Sequence, residues 1–161
     1  MNLWYIVTFV TLVVAIYISY YYRYPKTVNI IQSTLDHFNL SLLLEKQPVI
    51  VQDPIADLNQ LHQAWFKWNR CSPLTVHSDQ WFMNPYKFLV VCPTERTEMV
   101  LYPAGSPIVN GEPSPDQTIL AVRLGAGQTL IVPFHWYIFT NSFEGDALGV
   151  HDAVTSVLAA F

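Results

Sequence analysis

Two cysteines in 161 residues are too few for a disulfide framework. Cys71 and Cys92 read instead as free buried thiols in a reducing compartment. Neither belongs to a Cys-x-x-Cys pair, which disfavours a zinc site. No Gly-x-Ser-x-Gly surrounds Ser72, Ser78 or Ser106, which disfavours a serine hydrolase. Charge is scarce, at 12% of residues, and basic charge is scarcer than acidic. After Lys26 there are six Lys or Arg against twelve Asp or Glu, a balance that repels a phosphate backbone and argues against nucleic acid. No internal repeat and no low-complexity tract appears. Few charges and many Val, Ile, Tyr, Phe and Pro residues also exclude disorder and favour a packed, β-rich body.

What the chain does have is one long apolar run, from Leu3 to Tyr22, with no charge in it. About 20 apolar residues cross a hydrocarbon core as a helix. Trp4 and Tyr5 lie at one end, and Tyr20, Tyr21, Tyr22 and Tyr24 at the other, like the aromatic belts at the two water interfaces. A cleaved signal peptide would have a shorter apolar region and a small-residue cleavage site, whereas this run ends in tyrosines. Residues 1–26 therefore read as a transmembrane anchor and its flank, contacting the bilayer through residues 3–22. Arg23 and Lys26 follow the run, so the positive-inside rule places the following domain in the cytosol. Asn39-Leu40-Ser41 is a formal glycosylation acceptor that matters only on a lumenal side.

Residues 27–161 suffice for one domain. Residues 27–70 read as mostly helical. Ile30, Ile31 and Leu35 predict a short amphipathic helix, and Leu40 to Leu44 a further helical turn. Pro48 to Gln52 is a brief β run, and Asp57 caps a helix through Leu58, Leu61, Trp65 and Phe66. Residues 71–161 read as strand and turn. Strands are expected at Leu74–Val76, Lys87–Cys92, Glu98–Tyr102, Ile119–Leu124, Thr129–Phe134 and Trp136–Thr140. The second and third would form a hairpin across Pro93 to Thr97. Ile108 to Asp116 reads as a loop, and Ala147 to Leu158 as a last strand or strand pair. The fold class is mainly β, an antiparallel barrel or sandwich with N-terminal helices.

Several stretches resemble one family. Leu42-Leu43-Leu44-Glu45-Lys46-Gln47-Pro48-Val49-Ile50-Val51 is similar to the entry strand of JmjC and related cupin-like proteins. His77-Ser78-Asp79 has the His-x-Asp form of that family's metal motif, and Leu101-Tyr102-Pro103 resembles the Leu-x-Pro that follows it. The stretch from Gly125 to Trp136 resembles its late Gly-x-x-Leu/Ile-x-x-Pro-x-x-Trp turn and strand. Together these span roughly Leu42 to Asn141. The resemblance implies a double-stranded β-helix. It also implies Fe(II) held by two histidines and a carboxylate, with 2-oxoglutarate as co-substrate.

The chemistry of that family is incomplete here. His77 and Asp79 supply the first two donors, but the family's distal histidine position holds Ile138. His135 precedes Trp136 and points to another face, and His151 lies outside the matched stretch. A basic residue for 2-oxoglutarate is not evident; Lys87 and Arg123 are the nearest. His77 and Asp79 read as a hydrogen-bonded turn, His135 as a packed barrel-end residue, and Trp65-Phe66-Lys67-Trp68 as core with a flanking cation. Two functions remain. The first is a membrane-anchored, non-catalytic module without cofactor, holding a partner or a shell near a bilayer. In build it is similar to membrane-anchored proteins of large DNA viruses. The second is a tethered Fe(II)/2-oxoglutarate oxygenase with His77, Asp79 and His135 as its metal ligands, His151 being the other candidate for the third.

Overall fold

The computed structural model describes residues 3–55, 57–106, 108–114 and 118–158. The chain opens with helix α1 (Leu3–Tyr21), whose side chains are exposed almost throughout, Tyr21 being buried at its end. An apolar helix with nothing packed around most of it is long and apolar enough to cross a membrane.

Behind it, among the described residues, lie twelve strands. β1 (Ile31–Ser33), β2 (Val49–Val51), β3 (Arg70–Leu74), β5 (Phe88–Pro93), β10 (Thr129–Pro133) and β12 (Gly145–His151) build a six-stranded sheet in the order β1-β2-β10-β5-β12-β3. β4 (Phe82–Met83), β6 (Thr97–Tyr102), β9 (Leu120–Leu124) and β11 (Tyr137–Thr140) build a four-stranded sheet in the order β4-β11-β6-β9. β7 (Ile108–Val109) and β8 (Glu112–Pro113) form a small hairpin beside them. All pairings are antiparallel except β1 with β2.

The two sheets face each other. Leu89 and Val91 of β5, Leu130 and Val132 of β10, and Ile50 of β2 meet Met99, Leu101, Val122, Leu124 and Ile138 of the smaller sheet in one apolar core, closed by Trp136. Because side chains alternate along a strand, Val49, Val90, Cys92, Ile131 and Val150 emerge on the opposite face of the larger sheet. There they are covered by Leu43 of a 3-10 helix (Leu40–Glu45) and by Leu58 and Leu61 of α2 (Leu58–Trp65), with Phe66 just beyond it. The larger sheet is thus buried on both sides, and β2, β5 and β10 read as unbroken apolar runs. The smaller sheet alternates buried and exposed residues along β9 and along the first half of β6, as a half-solvated sheet does. The sheets stay separate among the described residues, so a sandwich forms and a closed barrel does not.

Several expectations change. Ile31 lies in a strand, because its N–H bonds the Pro48 carbonyl and it pairs with Val49; tertiary pairing overrides the helical spacing of Ile30, Ile31 and Leu35. β5 and β6 are consecutive but belong to different sheets, so Pro93 to Thr97 is a crossover and the expected hairpin is absent. The chain from Ala147 is strand only to His151. Asp152 then caps helix α3 (Ala153–Leu158) through the amides of Val154 and Thr155. Trp68 is 90% exposed and takes no part in the core, while Phe66 is buried. The expected loop from Ile108 holds the β7–β8 hairpin, and its last two residues lie outside the described ones. Cys71 and Cys92 are free, half-buried and buried respectively. They flank β12 on its two sides, opposite Val150 and Asp146, two strand spacings across and four residues along, about 16 Å apart at ~4.8 Å per strand and ~3.3 Å per residue, which is too far for a bridge.

Candidate functional site

The three residues of the iron reading do not converge. Phe82 pairs with Ile138 and Met83 with Tyr137, so the chain around β4 runs beside β11 in opposite sense. At one end the Asp79 amide donates to the Thr140 carbonyl at 2.9 Å. At the other the His135 amide donates to the Asn84 carbonyl at 2.8 Å. Asp79 and His135 are therefore held at opposite ends of one strand, about 16 Å apart at ~3.3 Å per residue. Metal donors must each stand ~2 Å from one ion. His77 and Asp79 are exposed, and Asp79 has a left-handed φ of 63°. Ile138, at the family's distal histidine position, is buried in the core. Among the described residues no three His, Cys, Asp or Glu side chains gather to hold a metal. The donors present do not fit Fe(II).

His151 lies on the larger sheet, where its Nε2 is 2.8 Å from Ser72 Oγ and its ring packs edge-on to Tyr86 at 4.7 Å. Burial and the nearby Arg70 hold this imidazole below its ordinary pKa, against the pull of Asp152. A serine paired with a histidine is the start of a nucleophile. The neighbouring carboxylate, Asp152, is committed elsewhere.

That commitment defines an elaborate polar site, where α1 meets the sandwich. One carboxylate oxygen of Asp152 accepts the phenols of Tyr17, at 2.8 Å, and Tyr21, and pairs with the Lys87 ammonium at 3.3 Å. The other accepts the Val154 amide and the Thr155 amide and hydroxyl. Burial alone would raise the Asp152 pKa. The Thr155 amide, the two phenols and the Lys87 charge outweigh it and hold the acid well below the usual carboxylate range.

A second clasp forms on the other side of the helix end. Lys46 leaves the 3-10 helix in a left-handed conformation, φ 56°, and its ammonium donates to the carbonyls of Tyr20 and, at 2.8 Å, Arg23. It thereby satisfies groups that a helix C-terminus leaves without partners. The same ammonium lies 4.1 Å from the Tyr20 ring, and Tyr20 donates its phenol to the Leu44 carbonyl at 3.3 Å. Burial and the Arg23 charge lower the Lys46 pKa to about 8. The Lys46 carbonyl in turn accepts the indole N–H of the buried Trp136 at 3.1 Å. The helix end is thus wired directly to the core.

Aromatic rings fill the space between the clasps. Phe134 meets Tyr21 edge-on at 5.3 Å and stacks on His135 at 3.7 Å. Tyr24 reaches within 3.3 Å of His135 Nδ1, and burial lowers the His135 pKa. Tyr24 also lies on Gly105, where an added Cβ would fall 2.4 Å from its ring. A cavity of about 160 Å³ remains under this roof, lined by tyrosines, Phe134, Trp136, Lys46 and Lys87. The sequence marked these tyrosines as an interfacial belt and gave Lys87 only as a distant candidate for another role. Asp152, which joins Lys87 to Tyr21 of that belt and to Tyr17 outside it, lies 131 residues beyond Tyr21 and had no local signal beyond its capping type.

No protein-family model, curated protein or solved structure matches the chain.

Proposed function

We propose that this protein is a membrane-anchored, non-catalytic β-sandwich module whose task is to present its domain to a partner or a shell in a fixed orientation at a bilayer. The observation that carries this reading is the double clasp, Asp152 on Tyr17 and Tyr21 and Lys46 on the carbonyls of Tyr20 and Arg23. A flexible tether would need only a span and a loose linker. Here the helix continues into contacts with the core, so the domain cannot swing freely about its anchor. Arg23 and Lys26 favour a cytosolic domain.

The scaffold reading deepens the proposal. From β3 onward the chain crosses between the sheets at nearly every connection, only β6 and β9 following one another within a sheet apart from the small hairpin. The order β10-β5-β12-β3 facing β4-β11-β6-β9 supports a double-stranded β-helix of the cupin-like kind, a double-sheet jelly roll. The oxygenase reading shares this scaffold, yet its interior is packed with Met99, Leu101, Trp136 and Ile138 where a reaction would need space and donors.

The test uses the full chain expressed in a eukaryotic host. It is expected to stay in the membrane fraction after alkaline carbonate washing, to leave only with detergent, and to carry no glycan at Asn39. Release by carbonate would overturn the anchor, and glycan at Asn39 the orientation. Succinate release from Fe(II) and 2-oxoglutarate that disappears in His77→Ala would overturn the non-catalytic reading.

A further inference from the structure

α1 has 19 residues, about 28 Å at ~1.5 Å each. The domain grips its last five, since Tyr17, Tyr20 and Tyr21 all hydrogen-bond to it. The stretch from Leu3 to Ile16 that stays clear measures about 21 Å, against ~30 Å for a hydrocarbon core. On the spanning reading, the gripped end of the helix brings the base of the domain up to the apolar layer.

The base is built for that. Leu44, at the end of the 3-10 helix, is 66% exposed, and Leu40 is 47% exposed. Leu44 lines an open groove with Val13, Ile16, Tyr17 and Tyr20. Ile16 and Val13 lie about 8 and 12 Å before the end of α1, so Leu44 sits at the depth of the helix body and not at its exit. Among the described residues no charged side chain lines this groove. Two residues later, the Lys46 ammonium reaches the last carbonyls of the helix, the level at which polar headgroups begin.

We infer that this groove takes an acyl chain of a bilayer phospholipid, and that the base of the domain around Leu40 and Leu44 is sunk in hydrocarbon. The inference rests on the reading of α1 as a spanning helix. The occupant follows from continuity: the groove opens along the same face of Val13 and Ile16 that lipid would bathe, so acyl chains reach Leu44 without leaving the apolar layer. Immersion of this base supplies the apolar depth that the gripped helix end gives up.

The test places a nitroxide on the full-length chain in phosphatidylcholine vesicles, at Leu44→Cys in a Cys71→Ser, Cys92→Ala background. Val10→Cys and Glu98→Cys serve as references. Collision with oxygen and with a water-soluble nickel chelate is read from power saturation. Leu44 is expected to match Val10, rich in oxygen and several-fold poorer in nickel than Glu98. A Leu44 site that tracks Glu98 while Val10 stays in lipid overturns this inference alone. A nickel-accessible Val10 overturns the spanning helix and this inference together. Leu44→Trp gives a second reading without cysteine changes: acyl-brominated lipid is expected to quench a larger share of its emission than of the parent's. An unchanged quenched share overturns the immersion.

Discussion

The carboxylate of Asp152 accepts the phenol of Tyr17 at 2.8 Å, across 135 positions of sequence. One side chain from the far end of the domain thereby holds the helix at the front of the chain. It does so while capping its own helix and pairing with Lys87. Charge-assisted bonds of this kind are about twice as strong as neutral ones.

Asp152→Asn keeps the shape and removes the charge. It is expected to lower the stability of the full chain in detergent by about 2 kcal/mol. Tyr17→Phe, which deletes a single bond, is expected to cost about 1 kcal/mol. Thermal unfolding followed by near-ultraviolet dichroism checks both, and equal losses would mean that the carboxylate's charge contributes nothing.

Acid should loosen the protein in two stages. His135 and His151 have folded pKa values lowered by burial, so the unfolded chain takes protons first, and stability falls as pH drops below about 6.5. Asp152 is likewise held below its ordinary value, so its contribution is intact above about pH 4 and is lost as pH falls from there through its folded pKa. His135→Gln with His151→Gln is expected to flatten the first stage and leave the second. Stability measured across this pH range in the double variant would expose an error if the first stage persisted.

Gly105→Ala tests the seat of Tyr24. The residue has φ of +78°, and the new methyl would fall 2.4 Å from the tyrosine ring. Strain and displacement together are expected to cost about 2 kcal/mol, with Tyr24 swung away from His135. Tyr24→Ala in the same background should relieve part of the loss, which a double-mutant cycle in unfolding free energy would read.

His77→Ala and Leu89→Ala separate surface from core. His77 is exposed, so its removal is expected to change stability by less than about 0.5 kcal/mol. Leu89 is fully buried between the sheets, and its truncation is expected to cost about 3 kcal/mol. Denaturant unfolding of both decides the point, and a large loss at His77 would make it a structural node.

How far this was legible in the chain depends on whether the signal was local. The apolar run of α1, the branched residues of β2, the apolar face of α2 and most strands from Lys87 to Thr140 carry their own periodicity and were readable. β1 was not, because three residues with helical spacing become a strand only when Val49–Val51 lies alongside. The crossover at Pro93 to Thr97 was not, because a hairpin and a crossover share the same turn residues. The site was the least readable part. His77-Ser78-Asp79 looks like chemistry in the sequence and is an exposed turn in the fold. Asp152 looks like a lone acid and gathers two tyrosines, a lysine and a helix start. Convergence over 131 positions leaves no trace in local pattern.

β12 lies between β5 and the edge strand β3 of the larger sheet, and the residue after it is Asp152. During synthesis the earlier strands therefore emerge with a vacant slot between β5 and β3, and α1 is made long before Asp152 can grip it. On the proposal that α1 spans a bilayer, insertion into lipid and folding of the sandwich are thus ordered in time. The helix would settle at its own depth first, and arrival of β12 would both complete the sheet and add the Asp152 clasp that fixes that depth. On that proposal, a ribosome paused shortly before Asp152 would hold an inserted chain with only the Lys46 clasp available to it.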